Sequence, residues 1–384
     1  MSAEPRGESP AVRPLPVLRA IVDAIDHEIL LLLARRNSLV ADIAVHKREH
    51  HLPIRDVQRE REIIADRRAR GQALGLNPEL LESLWRLILW ASRDRQAALR
   101  AEVPPEVEPC TVAIIGGKGA MGRCMAELFG DLGHAVLIAD RDTPLTPVAA
   151  AAAADAVVIS VPIDVTVDVI REVGPHVRPD ALLMDVTSLK AAPMQAMLEH
   201  SRGSVVGTHP LFGPSVHSLQ GQRVVLTPGR GETWLAWVRR MLAARGLVLV
   251  ETTPEEHDRV MAVVQVLVHF ATEVLGATLA RVGLPLAETL RYMSPIYLMQ
   301  VLLAGRHFAQ SPDLYAAIQR GNAATAEITA AFIAAAEDIR AAAQAAQPDA
   351  FRALFAEVRR YFGSFTDEAL AQSDFLIDRL VERA

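Results

Sequence analysis

The glycine-rich loop Gly117-Lys118-Gly119-Ala120-Met121-Gly122 follows the β-branched run 111–115, yet it begins more than 100 residues into the chain. Glycines at this spacing after a strand let the backbone turn tightly, come close to a pyrophosphate and pack the following helix, whose N-terminal amides face the phosphates. A dinucleotide fold therefore starts near residue 110, and a separate module must fill the residues before it. Asp140 stands 23 residues after Gly117, at the end of a second apolar run. A carboxylate there accepts hydrogen bonds from a ribose 2′-hydroxyl and repels a 2′-phosphate. This favours NAD over NADP, with Arg141 the neighbour able to offset the repulsion. Gly117, Gly119, Met121, Gly122 and Asp140 are the expected cofactor contacts. Ser160 and Pro162 join them, where Ser160-Val161-Pro162 leaves the third strand on the crevice side.

A net charge of -6 gives no electrostatic footprint for nucleic acid or an anionic membrane, so small acidic metabolites are the expected partners. The two cysteines, Cys110 and Cys124, make neither a disulfide framework nor a metal-ligand spacing, which suits a reducing cytoplasm and no metal. Residues 1–16 are proline-rich without an apolar signal core and are expected to be a disordered leader. No uninterrupted twenty-residue apolar span appears.

Apolar residues recur at Leu18, Ile21, Val22, Ile25, Ile29, Leu32, Leu33, Leu39, Val40 and Ile43, the three-four spacing of one long helix ending near His50. A helix of about 33 residues is roughly 50 Å long, more than a hundred-residue module covers, so it needs a partner chain. Pro53 breaks it; a second helix is expected over 56–70 and a third from Asn77-Pro78 to near Arg100, giving a helical domain over 17–100. The stretch 101–109 is a stiff proline- and glutamate-rich linker. Strand runs at 111–115, 135–139, 156–161, 181–186, 204–207, 223–227 and 247–250 alternate with helices over 110–252, the pattern of an α/β doubly wound sheet. Residues 253–384 are helical throughout.

His209, in Gly207-Thr-His-Pro-Leu-Phe-Gly-Pro214, is expected in a loop just after a strand, where an imidazole serves as acid or base for a hydroxyl becoming a carbonyl. His257 and His269, on the helix after Pro254, are read as structural. From residue 110 onward the sequence resembles prephenate dehydrogenase in the glycine loop, Ser-Val-Pro, Asp185-x-x-Ser188-x-Lys190, the His209 motif, and Ser294-Pro-Ile-Tyr297 followed by Gly305-Arg306. The resemblance implies that His209 contacts the 4-hydroxyl of prephenate, that Arg306 grips a carboxylate, and that Ser188 and Lys190 also bind substrate. Leu298 stands where the family often has an arginine.

In the first module Arg36 and Lys47, eleven residues apart, fall within about 20° on one helix face, whereas Arg19 points roughly 100° away and should reach a partner's pocket. Asp56, Arg59 and Glu60 form one patch on the second helix, and Ser92 and Gln96 another on the third. This set resembles the all-helical chorismate mutase. The resemblance implies that the arginines bind both carboxylates of chorismate, that Lys47 and Gln96 donate to the ether oxygen as charge builds there, and that Glu60 holds the ring hydroxyl. Asp56, Arg59 and Ser92 complete the pocket.

Over its full length the chain resembles the bifunctional chorismate mutase/prephenate dehydrogenases. That implies a multidomain protein with an all-α mutase-like N-terminal domain, an α/β Rossmann-type doubly wound domain and an all-α C-terminal dimerisation domain. It implies a homodimer acting on chorismate and prephenate, and leaves open whether tyrosine is a feedback inhibitor. The alternative is a dehydrogenase for arogenate or another hydroxyacid, whose N-terminal helices serve only dimerisation or regulation.

Overall fold

The computed structural model describes residues 13–50, 52, 54–99, 108–216 and 218–381. The expected leader over 1–12, the helix break at Pro53, the helix end at Arg100 and the linker over 101–107 lie outside the described residues. Helix α1 (Leu15–Glu49) starts before the expected leader ends, because Pro14 O already accepts from Val17 and Leu18. Pro16 fits there, since a first-turn N–H has no intrahelical partner to lose. Helix α3 (Pro78–Leu99) packs on it, and α2 (Val57–Ala73) packs on α3. Asp56 caps α2 by accepting from Arg59 N, and Asn77 Oδ1 caps α3 by accepting from Glu79 N and Leu80 N.

The core of this module is thin. Val40, Ala44, Ile54, Leu89 and Ala97 are buried, but Leu18, Ile21, Val22, Ile25, Ile29 and Leu32 along α1 are exposed. An apolar stripe of that length in water marks an interaction face.

The middle of the chain alternates β1 (Thr111–Ile115), α4 (Ala120–Asp131), β2 (Ala135–Ala139), α5 (Pro147–Ala153), β3 (Ala156–Ile159), α6 (Ile163–Val173), β4 (Leu182–Asp185), α7 (Ala191–His200) and β5 (Ser204–Pro210). It ends in β6 (Arg223–Arg230), α8 (Glu232–Ala244) and β7 (Val248–Glu251). One sheet results, in the order β2-β1-β3-β4-β5-β6-β7. Strands β1 to β5 are parallel, while β6 runs antiparallel to β5, with β7 parallel to β6. The reversal is not visible in the strand pattern. It follows from the connection 211–222, whose described residues contain no helix and so cannot make the crossover that a parallel neighbour needs. Alternate residues feed two cores: Val112, Ile114 and Met184 meet Phe129 and Trp237 on one face, and Ala113, Ile115 and Leu183 meet Ile170 and Met197 on the other.

The rest is helical: α9 (Pro254–Met261), a π-helical turn Ala262–Leu267, α10 (Val268–Val282), α11 (Leu286–Arg291), α12 (Pro295–Phe308), α13 (Pro312–Gly321), α14 (Thr325–Gln344), α15 (Asp349–Phe362) and α16 (Phe365–Val381). The stretch Pro254–Val282 is long and apolar enough to cross a bilayer by length and composition. It packs on α12 and α14 and carries crevice side chains.

Candidate functional site

The strand order changes direction between β1 and β3, and the carboxyl ends of the strands beside that point open a crevice, as α/β sheets of this kind do. A cavity of ≈ 600 Å³ lies there, between the strand ends and the C-terminal helices. Gly119, Met121, Ser160, Pro162 and Ser188 line it, as expected. Gly116 takes a φ of 83°, and a Cβ on it would sit 2.3 Å from Ser160 O. A Cβ on Gly122 would sit 2.3 Å from Gly116 O, so only glycine lets α4 come this close to the loop. Gly119 caps α4 without a side-chain hydrogen bond, which leaves the first amides of the helix for an anion. Asp140 is held at the loop by Lys118 N and Arg141 N, at 3.1 and 2.8 Å. Lys118 Nζ pairs with Asp142 at 2.9 Å, and Arg141 is exposed. The cradle fits a dinucleotide.

His209 lies within β5, not in a loop after it. The β6 ladder continues through His209 and Pro210, which pair with Val225 and Val224. The imidazole is 2 % exposed. Its Nδ1 is 2.9 Å from His257 Nε2, and His257 Nδ1 is 2.7 Å from Asp258 Oδ1. A carboxylate only accepts, so His257 carries its proton on Nδ1 and receives one from His209 Nδ1. His209 Nε2 is then left with its lone pair, 3.3 Å from Gln265 Nε2 at the crevice wall. Burial, reinforced by His257 and Lys190, holds His209 well below the usual imidazole range, so it stays neutral and able to accept. Burial works to raise Asp258, but hydrogen bonds from His257, Ala191 N and Lys190 N outweigh it and keep the carboxylate ionised. The structural reading of His257 is therefore corrected: it joins His209 to Asp258.

His269 is corrected too. It lines the crevice edge-on to Tyr315, and its Nδ1 is buried with no partner among the described residues. Lys190, expected to bind substrate, does not line the crevice. Its side chain is fully buried, Nζ pairs with Asp185, and it donates to Thr208 O at 2.7 Å, bracing β4 and β5 beneath His209. Burial pushes its ammonium below the usual lysine range, with Asp185 opposing. Arg306 is exposed on α12, outside the crevice wall, and its charge bears on Tyr315, which lines that wall.

In the helical module, Arg36 Nη1 donates to Ser92 Oγ, joining α1 to α3. Burial and the nearby Arg67 hold the Arg36 guanidinium below its usual value. Gln96 Nε2 donates to Ser92 O at 3.2 Å, and its Oε1 is buried without a partner among the described residues. Glu60 accepts from Arg93 and, at 3.4 Å, from Arg55. Lys47 Nζ donates to Ile54 O at 2.7 Å. Arg36, Ser92, Gln96 and Glu60 are thus linked across three helices. Arg19 lies about 25 Å along α1 from Arg36 and cannot meet it in one chain. Arg59 is exposed and pairs with Glu62 at 3.4 Å, and one oxygen of Asp56 caps α2.

The type II chorismate mutase model matches residues 18–97, the prephenate dehydrogenase nucleotide-binding domain 127–251, and the prephenate dehydrogenase dimerization domain 253–357. The T-protein of Enterobacter agglomerans is 35% identical over 370 residues, covering 95% of this chain and 98% of that one. The chain belongs to the T-protein family. The T-protein of Haemophilus influenzae is 30% identical over 364 residues, 94% of this chain and 96% of its own. The crystal structure of prephenate dehydrogenase from A. aeolicus with hydroxyphenyl propionate and NAD+ shares the fold, with a TM-score of 0.55 and 20% identity over 69% of this chain and 99% of that one. This T-protein family member is a bifunctional enzyme of tyrosine biosynthesis, with chorismate mutase and NAD-dependent prephenate dehydrogenase domains.

Two outcomes are expected. Gly122→Ala forces the α4 loop open, an overpacking of about 1–3 kcal/mol; NADH titration by fluorescence should show roughly tenfold weaker binding, and an unchanged Kd would remove the cradle. His257→Gln takes the imidazole acceptor from His209, so kcat for NADH production should fall roughly tenfold to a hundredfold with NADH affinity kept; an unchanged kcat would make the contact structural only.

Proposed function

We propose that residues 17–100 convert chorismate to prephenate, and that the crevice between residues 110–252 and 253–384 oxidises prephenate to 4-hydroxyphenylpyruvate and carbon dioxide. The observation that carries the dehydrogenase half is the neutral His209, backed by His257 and Asp258, beside the dinucleotide cradle. Bound NAD supplies the hydride acceptor. His209 Nε2 accepts the hydrogen bond of the 4-hydroxyl, drawing its proton as hydride leaves C4. The ring carboxylate departs as carbon dioxide, the ring becomes aromatic, and the proton returns to the phenol. Aromatisation drives the step, so the residues need only orient the ring and bear the developing charge at the hydroxyl. Ser188 lies on the same wall, and Arg306, whose charge bears on the wall residue Tyr315, would take a carboxylate.

In the mutase, Arg36 and Arg19 of the partner subunit hold the carboxylates, Lys47 and Gln96 donate to the ether oxygen, and Glu60 takes the ring hydroxyl. The gap of about 25 Å from Arg36 to Arg19 supports a pocket shared between two chains, hence a homodimer, which would also cover the exposed stripe of α1. Tyrosine, which carries the same hydroxyphenyl ring as the product, would compete in the dehydrogenase crevice. The free thiols Cys110 and Cys124 suit the cytoplasm.

NADH production from chorismate with NAD, and from prephenate with NAD, tests both halves. Wild type should use both, and Lys47→Ala only prephenate; prephenate turnover without chorismate turnover would reduce the helices to an assembly module. Arg19→Ala and Lys47→Ala chains, each inactive as mutases, should regain activity when refolded together, and no recovery would end the shared-pocket reading. Because a protonated His209 cannot accept, kcat/KM for prephenate should fall only on acidification to below about pH 6.5, the ordinary imidazole value. An acid limb at or above that value would contradict the buried, neutral His209.

A further inference from the structure

We infer that Arg93 is a positioning residue for the mutase: it fixes the Glu60 carboxylate in the orientation that receives the ring hydroxyl. The inference rests on the proposed role of Glu60. No helical periodicity or motif in the mutase set singles out Arg93, which sits between Ser92 and Gln96 on α3.

The geometry is specific. Arg93 Nη1 meets Glu60 Oε1 across the α2–α3 interface, 33 residues apart in sequence, and the two side chains are only 18% and 17% exposed. The other Glu60 oxygen meets Arg55 at 3.4 Å, and Arg55 is 60% exposed. The inner partner is therefore the one screened least by water. A carboxylate oxygen has two lone-pair sites, so Arg93 leaves Glu60 able to accept from a hydroxyl while removing its freedom to swing. Arg93 also follows directly on Ser92, whose hydroxyl receives Arg36 and whose carbonyl receives Gln96. Three contacts of the same pocket are thus registered on one turn of α3. A surface ion pair would be nearly neutral in energy, but one this enclosed is costly to break from one side, because the remaining carboxylate keeps its burial without its partner.

The test is a double-mutant cycle on the full chain, using Arg93→Gln, Glu60→Gln and the pair, with chorismate turnover read as kcat and KM separately. Prephenate-dependent NADH production by the same protein reports folding, because neither residue lies in that crevice. Arg93→Gln should lower mutase kcat/KM about tenfold, the scale of a hydrogen bond to a charged group. It should have little further effect once Glu60 is Gln, and Arg93→Lys should recover part of the loss. If Glu60→Gln lowers turnover but Arg93→Gln does not, or if the two losses simply multiply, Arg93 does not act through Glu60 and the inference falls. If Glu60→Gln itself changes nothing, the role of Glu60 falls first and takes this inference with it. If Arg93→Gln also abolishes prephenate oxidation, the residue is needed for folding, and an Arg93→Lys chain that folds yet is no better than Arg93→Gln at chorismate turnover overturns the positioning role.

Discussion

The Asp258 carboxylate ties the two halves of the dehydrogenase together. One oxygen accepts from His257 and from the backbone of Lys190, the other from Ala191 at the start of α7, and the Asp258 carbonyl receives Asn322 from beyond α13. A single side chain thereby caps a helix of the sheet domain, fixes the tautomer of a histidine on the first C-terminal helix and, through it, aims His209. Burial alone would neutralise such a group; the amides and the imidazole keep it ionised. Beneath it the Lys190–Asp185 pair does the same for strands β4 and β5, with both side chains wholly out of water. The charges behind the crevice wall are thus met by partners within the protein.

The two sites differ in how much one chain supplies. The dehydrogenase crevice draws its walls from strand ends and helices of the same polypeptide. The mutase pocket has its three-helix frame, but the frame buries little apolar surface and leaves the long first helix uncovered. Small helical modules of this size gain stability from association when their own core is insufficient.

Local chemistry was legible in the sequence where the backbone itself is the signal. The glycine loop, Asp140 and the positions of all seven strands were readable because turn residues and β-branched runs act over a few residues. The same holds for the helix starts at Asp56 and Asn77. What could not be read depends on contacts between distant segments. His257 gains its role from a residue 48 positions earlier, although its dipeptide with Asp258 was a signal available to notice. Lys190, expected from the resemblance to bind substrate, is buried beneath the sheet against Asp185. Asp56, at the right spacing for a substrate contact, also caps its own helix. The extension of β5 through His209 required knowing that β6 pairs with it there.

The π-helical turn Ala262–Leu267 carries Gln265 and stands between His257, which contacts His209, and His269; Gln265 and His269 line the crevice. A wider turn holds more residues per revolution than an α-helix, and such turns concentrate at functional sites. Its presence sets the angular phase between the segment that steadies His209 and the segment that lines the substrate wall. Were the same residues to wind as a regular α-helix, everything downstream would be rotated by about 100°, one residue's step. The winding of this one turn therefore matters alongside the identity of the side chains it carries.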